Sequence, residues 1–336
     1  MNDATLAQES PPPNEAFHTQ RLAERLQAKI VQDNAGGPMR RDAHAKMHGL
    51  VRAEFSIAPG LPEALRVGLF SQVRTYPAWV RFSNQSGSLA PDIQGDIRGM
   101  AIKLMGVDGE MLQTASPADR TADFILISTP VFVTRDVAEF DGLVGALTGS
   151  LWAKAVFFLS HWRVVVNVLG SLKKFANPLQ IRYFSATPYR LGAQAVKYSA
   201  RPVGGSADAL PAHPEADFLR QAMLRQLAAG DALFDFSVQL QTDARAQPIE
   251  DPGRRWPETV SAFQKVASLR IPSQQFDSPA QRMLGENLSF NPWRTLAEHR
   301  PLGGINRARR SVYEAISRFR HDKNQAVRAE PSGWDL

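Results

Sequence analysis

The sequence of 336 residues contains no cysteine. This absence excludes a disulfide framework, a thiol nucleophile, a structural zinc site built on thiolates, and a thiolate-bound haem or iron–sulfur centre. Any metal must therefore be held by His, Tyr or carboxylate side chains.

Long apolar runs are also absent. The most apolar region, residues 151–172, is interrupted by Lys154, His161 and Arg163, and its longest stretch without a charge or a histidine has nine residues. Such a stretch is too short to span a bilayer. The N-terminal residues lack the basic start and apolar run of a signal peptide, so we expect a disordered arm on a cytoplasmic protein.

The chain has a small excess of positive charge, with 39 Lys plus Arg against 33 Asp plus Glu. This excess favours an anionic partner, of which nucleic acid is one candidate. The sequence has no glycine-rich phosphate loop, no HExxH motif and no Gly-x-Ser-x-Gly motif. The common signatures of nucleotide-binding proteins, zinc proteases and serine hydrolases are therefore missing.

Short β-branched or aromatic runs bounded by turn residues indicate strands. They cover residues 79–83, 99–104, 123–128, 195–198, 234–242, 266–271 and 287–290. Helical patterns cover residues 16–32, 137–148, 151–175, 217–229 and 306–320. The order predicts an α+β fold, with an antiparallel sheet or β-barrel surrounded by helices. We expect an arm (residues 1–15), one domain (16–325) and a tail (326–336).

The last helix carries a pattern that suits metal binding. Arg309, Tyr313 and Arg320 lie within about 40° of one another on a helical wheel. An Arg one turn before a Tyr can donate to the phenol oxygen and stabilise the phenolate, which is a hard ligand for ferric iron and a known axial ligand of haem. The alternative is a basic, solvated helix face with one Tyr packed beneath it.

Two further segments could contribute to a site. His44 lies close to Arg41 and could be a general base beside an anionic cofactor or substrate, or part of a surface loop; with His48 it has the spacing of a helical metal pair. Arg81 and Ser83, if they face inward, would place a cation and a hydroxyl on one side of a strand.

Phe132 and Phe140 would provide flat apolar walls, although core packing is the simpler interpretation.

Taken in order, these motifs resemble the haem catalase family from about residue 40 to residue 320, and especially its compact, catalase-related peroxidase branch. The matching motifs are Arg-x-x-His-Ala-Lys (41–46), Val-Arg-Phe-Ser (80–83), Asp-x-Arg-Gly-x-Ala-x-Lys (96–103), Thr-Pro-x-Phe-x-x-Arg-Asp (129–136) and Leu-Ser-Phe-Asn-Pro (288–292), followed by the Arg-Tyr-Arg helix. The resemblance implies a catalase-like barrel that binds haem b.

The resemblance also assigns roles around the iron. His44 corresponds to the distal base, Ser83 to the hydroxyl that orients its imidazole, Tyr313 to the proximal iron ligand and Arg309 to the residue that holds the phenolate.

Other residues correspond to those that hold the porphyrin. Arg41, Arg81 and Arg320 correspond to the cations around the haem propionates. Phe140 corresponds to the aromatic ring that packs on the porphyrin, with Phe132 nearby.

Three positions in the expected substrate pocket depart from the family pattern. Ile127 replaces an Asn, Ser128 stands where a second Asn is usual, and Ala43 replaces a Val before the distal His. Ile cannot hydrogen-bond a small polar peroxide, and Ala opens space. We therefore predict a haem peroxidase that reduces organic and fatty-acid hydroperoxides, with weak catalase activity, by heterolytic cleavage of the O–O bond.

Two alternatives remain open: a fatty-acid hydroperoxide isomerase or lyase resembling allene oxide synthase, and a non-enzymatic haem carrier or sensor. The expected partners are a small-molecule electron donor and a second subunit in a homodimer, and nucleic acid is not expected. The apolar segment bearing Trp152, Trp162, Lys173 and Lys174 could rest on a membrane surface or pack within the protein.

Overall fold

The computed structural model describes residues 5–113, 119–204, 207–327 and 330–335. Within these residues the chain forms one antiparallel sheet. Its strands are β1 (Met47–Ile57), β2 (Thr75–Asn84), β3 (Arg98–Met105), β4 (Thr121–Ile127), β5 (Tyr183–Phe184), β6 (Tyr189–Leu191), β7 (Gln194–Pro202), β8 (Ala232–Leu240) and β9 (Phe263–Ile271). Pairing of β5 with β7 closes eight of these strands into a barrel, while β6 extends the sheet beside β7. The predicted α+β barrel is confirmed.

The barrel interior is filled by alternate side chains of its strands, as the two-residue period requires. Phe55, Phe124, Tyr198 and Phe236 pack there with ring centroids 4.8–5.8 Å apart. Val80 and Phe82 of β2 belong to the same core. The alternate residues of β2, Arg81 and Ser83, therefore point out of the barrel.

Helices cover the barrel on its outside. In the part of the chain that the structure describes they are α1 (Glu15–Asp33), α2 (Val137–Thr148), α3 (Leu151–Ser160), α4 (Trp162–Ser171), α5 (Phe218–Ala229), α6 (Pro279–Asn287) and α7 (Gly304–Asn324). Helix α1 packs against α2 and α7. Leu22, Leu26 and Ile30 of α1 meet Val312 and Ile316 of α7 in a small apolar cluster.

Several sequence-based expectations about the elements were wrong. The single helix expected over residues 151–175 is two helices that meet at His161, where the backbone leaves the helical conformation with φ −122° and ψ 56°. Residues 287–290 do not form a strand, because Asn287 ends α6 and the next residues are irregular. Strand β1 was missed, although its buried residues Val51, Ala53 and Phe55 alternate with polar ones.

The expected arm and tail make defined contacts. The backbone N–H of Ala7 donates to the side chain of Gln241 at 2.7 Å, and Glu9 accepts from Arg300 at 2.7 Å. At the other end, the indole of Trp334 donates to the carbonyl of Ala78 at 3.0 Å. Within the described ranges, no helix has the length and apolar character to cross a membrane.

Candidate functional site

A large cavity lies between the outer face of the barrel and helices α1, α2 and α7. Its free space, including the part open to solvent, is about 1490 Å³. The predicted site residues that line it are Arg41, Ala43, His44, Arg81, Ser83, Ile127, Phe132, Phe140, Arg309, Tyr313 and Arg320. Arg81 and Ser83 do share one side of β2, as expected, but that side faces out of the barrel rather than into it, because Val80 and Phe82 fill the interior.

Ser128 is the predicted residue that does not line the cavity. Its hydroxyl accepts the backbone N–H of Arg98 at 2.9 Å, which ties the end of β4 to β3. The side chain is therefore used for strand pairing.

His44 is fixed by its backbone and by one side-chain contact. Its φ is 60°, a conformation uncommon for residues other than Gly, and its N–H donates to the carbonyl of Gln85 at 2.9 Å. The imidazole Nδ1 lies 3.0 Å from the hydroxyl oxygen of Ser83. Gly99 leaves room for the ring, since a Cβ there would lie 2.5 Å from Nδ1.

The surroundings of His44 keep its imidazole neutral. Burial, reinforced by the positive charges of Arg81, Arg309 and Arg41, lowers the pKa of His44 to about 3. At neutral pH the ring can therefore accept a proton.

Ile127 lies on the same outer face of the barrel as Ser83, the residue that His44 contacts. Ser83 pairs with Gly99 across β2 and β3, and Gly99 pairs with Ile127 across β3 and β4. Directly paired residues in a sheet project to the same side, so these three positions form a row across the wall. At the far end of that row, Ile127 presents hydrocarbon without a hydrogen-bonding group.

Helix α7 brings Arg309 and Tyr313 to the cavity as a bonded pair. A guanidinium nitrogen of Arg309 donates to the Tyr313 phenol oxygen at 2.8 Å. A second nitrogen donates to the side-chain carbonyl of Asn306 at 3.1 Å. The amide nitrogen of Asn306 is itself held by the carbonyl of Pro188 at 2.8 Å. Arg309 is thereby oriented from one side while it polarises the phenol on the other.

Three arginines meet near the end of α6. Arg41 donates to the carbonyl of Leu288 at 2.6 Å, Arg81 to that of Gly285 at 3.1 Å, and Arg320 to that of Glu286 at 3.2 Å. Burial and the charge of Arg41 hold the pKa of Arg81 well below its usual range. They likewise lower the pKa of Arg320 to about 10.

This arginine cluster carries more positive charge than the nearby carboxyl groups of Asp42 and Glu286 balance. The half-exposed carboxylate of Glu286 approaches Arg41 at 3.5 Å and Arg81 at 3.6 Å. One terminal nitrogen of Arg81 is buried without a hydrogen-bond partner. That nitrogen is the one that lies 3.6 Å from Glu286, beyond hydrogen-bond distance. Because a buried guanidinium nitrogen without a hydrogen bond is costly, the cluster is suited to receive an anionic ligand.

Phe132 and Phe140 supply an apolar edge to the cavity. Their rings meet edge to face with centroids 5.2 Å apart. Both also pack against the apolar cluster that contains Val133 and Leu143.

Sequence reasoning missed four residues that shape this site: Asp42, Gly99, Glu286 and Asn306. Gly99 lies inside the motif at 96–103 and Asn306 begins the predicted last helix, but their roles depend on distant segments packing against them. Asp42 lines the cavity, and burial raises the pKa of its carboxyl group. Glu286 lies on α6, where no local pattern indicates its proximity to Arg41 and Arg81.

The His44–His48 metal pair does not form. His48 is buried in β1, and its Nε2 lies 2.7 Å from the side-chain oxygen of Asn84. Across the described residues, no group of three or more His, Cys, Asp or Glu side chains could hold a metal ion.

No protein-family model matches the chain, and no curated protein matches its sequence. Solved structures do match its fold. A fungal catalase superposes with a TM-score of 0.68 at 17% identity, over 95% of this chain and 65% of that one. Catalase A from Saccharomyces cerevisiae gives a TM-score of 0.68 at 17% identity, over 96% and 70%.

A bacterial catalase gives a TM-score of 0.65 at 17% identity, over 98% of this chain and 66% of that one. The chain thus spans about two thirds of the length of the catalases it resembles. At this identity the match establishes a catalase-like fold.

Proposed function

We propose that this catalase-like chain binds haem b in the cavity and reduces organic hydroperoxides, with hydrogen peroxide as a poorer substrate and a small-molecule electron donor as the reductant. The observation that supports this most is the convergence on one cavity of a neutral imidazole, an arginine-bonded phenol and an arginine cluster short of negative charge. In the expected complex the imidazole would face the peroxide, the phenol would bind the iron, and the arginines would hold the haem propionates.

The residues present fit haem on chemical grounds. The two propionates of haem b would supply the negative charge that the Arg41, Arg81 and Arg320 cluster lacks, and the unbonded nitrogen of Arg81 marks one place for it. Tyr313 would bind the iron as phenolate, with Arg309 balancing its charge. Phe132 and Phe140 would contact the porphyrin. When bound, the haem supplies the redox chemistry that peroxide reduction requires.

In this proposal His44 moves the proton. If Nδ1–H donates to the Ser83 hydroxyl, the lone pair on Nε2 is free to accept the proton of an incoming hydroperoxide. The same nitrogen can then return the proton to the leaving oxygen, so that cleavage of the O–O bond releases an alcohol or water rather than an anion. Gly99 contributes because it has no side chain that would displace the imidazole.

Ile127 and Ala43 set the substrate preference. Neither side chain can hydrogen-bond hydrogen peroxide, and losing one such contact costs roughly 3 kcal/mol, about a hundredfold in rate. Their apolar surface instead accommodates the carbon chain of an organic hydroperoxide. The protein would then have weak catalase activity.

Steady-state assays of the haem-loaded chain test the proposal. We expect faster turnover of tert-butyl hydroperoxide and of a fatty-acid hydroperoxide with a phenolic donor than oxygen release from hydrogen peroxide. Fast oxygen release with inert organic hydroperoxides would refute the substrate assignment. A His44→Ala variant that keeps full activity would refute the role of the imidazole. A parent chain that binds haem but turns over no peroxide would favour a haem carrier or sensor.

Product analysis separates peroxidase from isomerase. A peroxidase converts a fatty-acid hydroperoxide to the alcohol only when donor is present. Donor-independent conversion to a rearranged product would identify a hydroperoxide isomerase or lyase instead.

A further inference from the structure

Helices α3 and α4 carry an apolar surface that nothing in the described structure covers. We call it the α3–α4 face; it comprises Leu151, Trp152, Val156, Leu159, Trp162, Val166, Leu169 and Leu172. Leu151 is 83% exposed, Trp152 77%, Leu159 85% and Trp162 67%. Monomeric soluble proteins rarely expose a contiguous patch of such side chains without using it to bind something.

The apolar stripe of α4 faces outward, whereas the apolar stripe of a surface helix usually faces the core. On α4, Trp162, Val166 and Leu169 have the i, i+4, i+7 spacing that a surface helix normally turns toward the core. Here all three are exposed, and Val164 is buried. The sequence therefore maintains an apolar stripe that faces outward.

The opposite side of the hairpin is anchored to the cavity wall. Phe157 of α3 and Val164 of α4 belong to one buried cluster with Val133. Ile127 and Phe132, which line the cavity, pack against that cluster. Because the hairpin is held from within, its outward face has a fixed orientation next to the site.

The charges that the α3–α4 segment itself carries are all positive. No Asp or Glu occurs between Asp141 and Asp208. Lys154, Lys173 and Lys174 make no ion pair within the described ranges, whereas Arg163 pairs with Asp251 at 3.1 Å. Exposed tryptophans and leucines bordered by unpaired lysines are the features of helices that lie in the interface of an anionic membrane.

We propose that the α3–α4 face docks the protein on anionic phospholipid, with both helices lying in the plane of the interface. Trp152 and Trp162 would sit at the headgroup boundary. Lys154, Lys173 and Lys174 would bind lipid phosphates through their flexible stems. Each helix has ten residues, about 15 Å of length, which suits contact with the surface but not passage through it.

Charge argues against a second copy of the chain as the occupant. In a two-fold interface the same face meets itself. The lysines of one copy would then face those of the other without an acidic residue of this segment to pair with them. Anionic lipid has the complementary charge.

Docking would place the cavity wall against the bilayer. If the proposed function is also correct, a fatty-acid hydroperoxide would reach the site from the lipid phase across the apolar cluster of α3 and α4. This consequence depends on the proposed function, whereas docking itself does not.

Sedimentation of the full, haem-loaded chain with vesicles tests the docking proposal. We expect binding to vesicles of equal parts phosphatidylcholine and phosphatidylglycerol, weak binding to phosphatidylcholine alone, and a blue shift of tryptophan fluorescence on binding. A Lys173→Gln/Lys174→Gln variant should bind about thirtyfold more weakly, and binding should weaken with salt. A Trp152→Gln/Trp162→Gln variant should bind at least about tenfold more weakly.

Matched changes elsewhere on the surface serve as controls. Val73→Gln/Met283→Gln removes exposed apolar groups outside α3 and α4, and Lys265→Gln/Lys323→Gln removes two lysines there. Both should bind like the parent, and all variants should turn over a water-soluble hydroperoxide at the parental rate. The measurement needs no turnover, so docking and peroxidase activity can fail separately.

Two results would overturn the proposal. One is absence of binding to anionic vesicles, or equal binding to neutral and anionic vesicles. The other is a dimer in solution that dissociates when Trp152 and Trp162 are replaced, since the face would then be covered by a second copy.

Discussion

Gly99 is the residue on which the position of the His44 imidazole depends most directly. A methyl group there would lie 2.5 Å from Nδ1 and 2.9 Å from the Ser83 hydroxyl oxygen. In Gly99→Ala the ring must move, so we expect turnover of organic hydroperoxides to fall about tenfold or more, roughly 1.4 kcal/mol in activation free energy. Haem content should stay unchanged.

Gly170→Ala is the control for this change. Gly170 lies in α4, and nothing is within 4 Å of the position a Cβ would take. Parental activity in Gly170→Ala with a loss in Gly99→Ala supports the imidazole geometry. Parental activity in both would contradict it.

In the proposed function, Ile127 sets the preference between peroxides. In Ile127→Asn an amide replaces hydrocarbon on the cavity face, so oxygen release from hydrogen peroxide should rise about tenfold relative to peroxidase turnover of tert-butyl hydroperoxide. The adjacent change Ser128→Asn provides a matched control, because that side chain does not line the cavity. A ratio unchanged by Ile127→Asn, or raised equally by Ser128→Asn, would contradict the assignment.

For single residues, the sequence predicted a contact wherever a residue type and its spacing along one helix or strand determine that contact. The Arg309–Tyr313 contact follows from one helical turn, and the shared side of Arg81 and Ser83 follows from the strand period. The roles of Gly99 and Asn306 could not be predicted, since they arise from close approach of segments far away in the sequence.

Helix α7 holds the phenol only if its own first turn is fixed. Arg307 donates to Glu9 at 2.5 Å, to Glu15 at 2.7 Å and to Glu250 at 2.8 Å, so one guanidinium joins the arm, α1 and a loop to α7. The arm thus contributes to the position of the helix that carries Tyr313. No local pattern in the sequence indicates this, because three separate segments supply the carboxylates.

Removing that guanidinium takes the ion-pair partner from Glu15 and Glu250 and leaves Glu9 with Arg300. We expect Arg307→Met to lower the free energy of unfolding by about 3 kcal/mol and to weaken haem retention, measured by denaturant unfolding and by transfer of haem to a scavenger protein. Arg318→Met, which removes an exposed i, i+4 pair on the same helix, should cost less than about 0.5 kcal/mol. Equal losses in the two variants would show that the Arg307 network does not anchor α7.

Folding keeps three histidines of the described chain neutral. Burial is the main cause that lowers the pKa of His44 to about 3, of His48 to about 4 and of His299 to about 3. Their ordinary pKa is about 6.5. Between these limits the unfolded chain binds protons that the folded chain does not. The contribution of these three histidines to stability therefore falls as the pH drops below about 6.5 and is constant above it.

His299 is the best position to test this linkage. Its Nε2 accepts the backbone N–H of Leu69 at 2.8 Å, outside the candidate site. In His299→Gln the slope of unfolding free energy against pH, measured between about pH 4 and 6, should fall by about 1.4 kcal/mol per pH unit. The exposed His213→Gln is the control and should keep the parental slope. A His299→Gln slope equal to the parent's would contradict the linkage.

The overall architecture was predictable because the strand runs and the catalase-like motifs indicate the same barrel. The closure of the barrel through the two-residue strand β5 was not, since so short an element leaves no periodic signal. The break between α3 and α4 was missed for a related reason, because neither Gly nor Pro marks the change at His161.

The proposed function requires that this cavity hold haem through Tyr313. The most direct test is the absorption spectrum of the purified full chain, with and without added haem, beside Tyr313→Phe and Arg81→Met variants. We predict a ferric spectrum typical of tyrosinate ligation in the parent, loss of that signature in Tyr313→Phe, and weaker haem retention in Arg81→Met. A colourless parent that does not take up added haem, or a Tyr313→Phe spectrum identical to the parent's, would show that Tyr313 does not hold haem in this cavity.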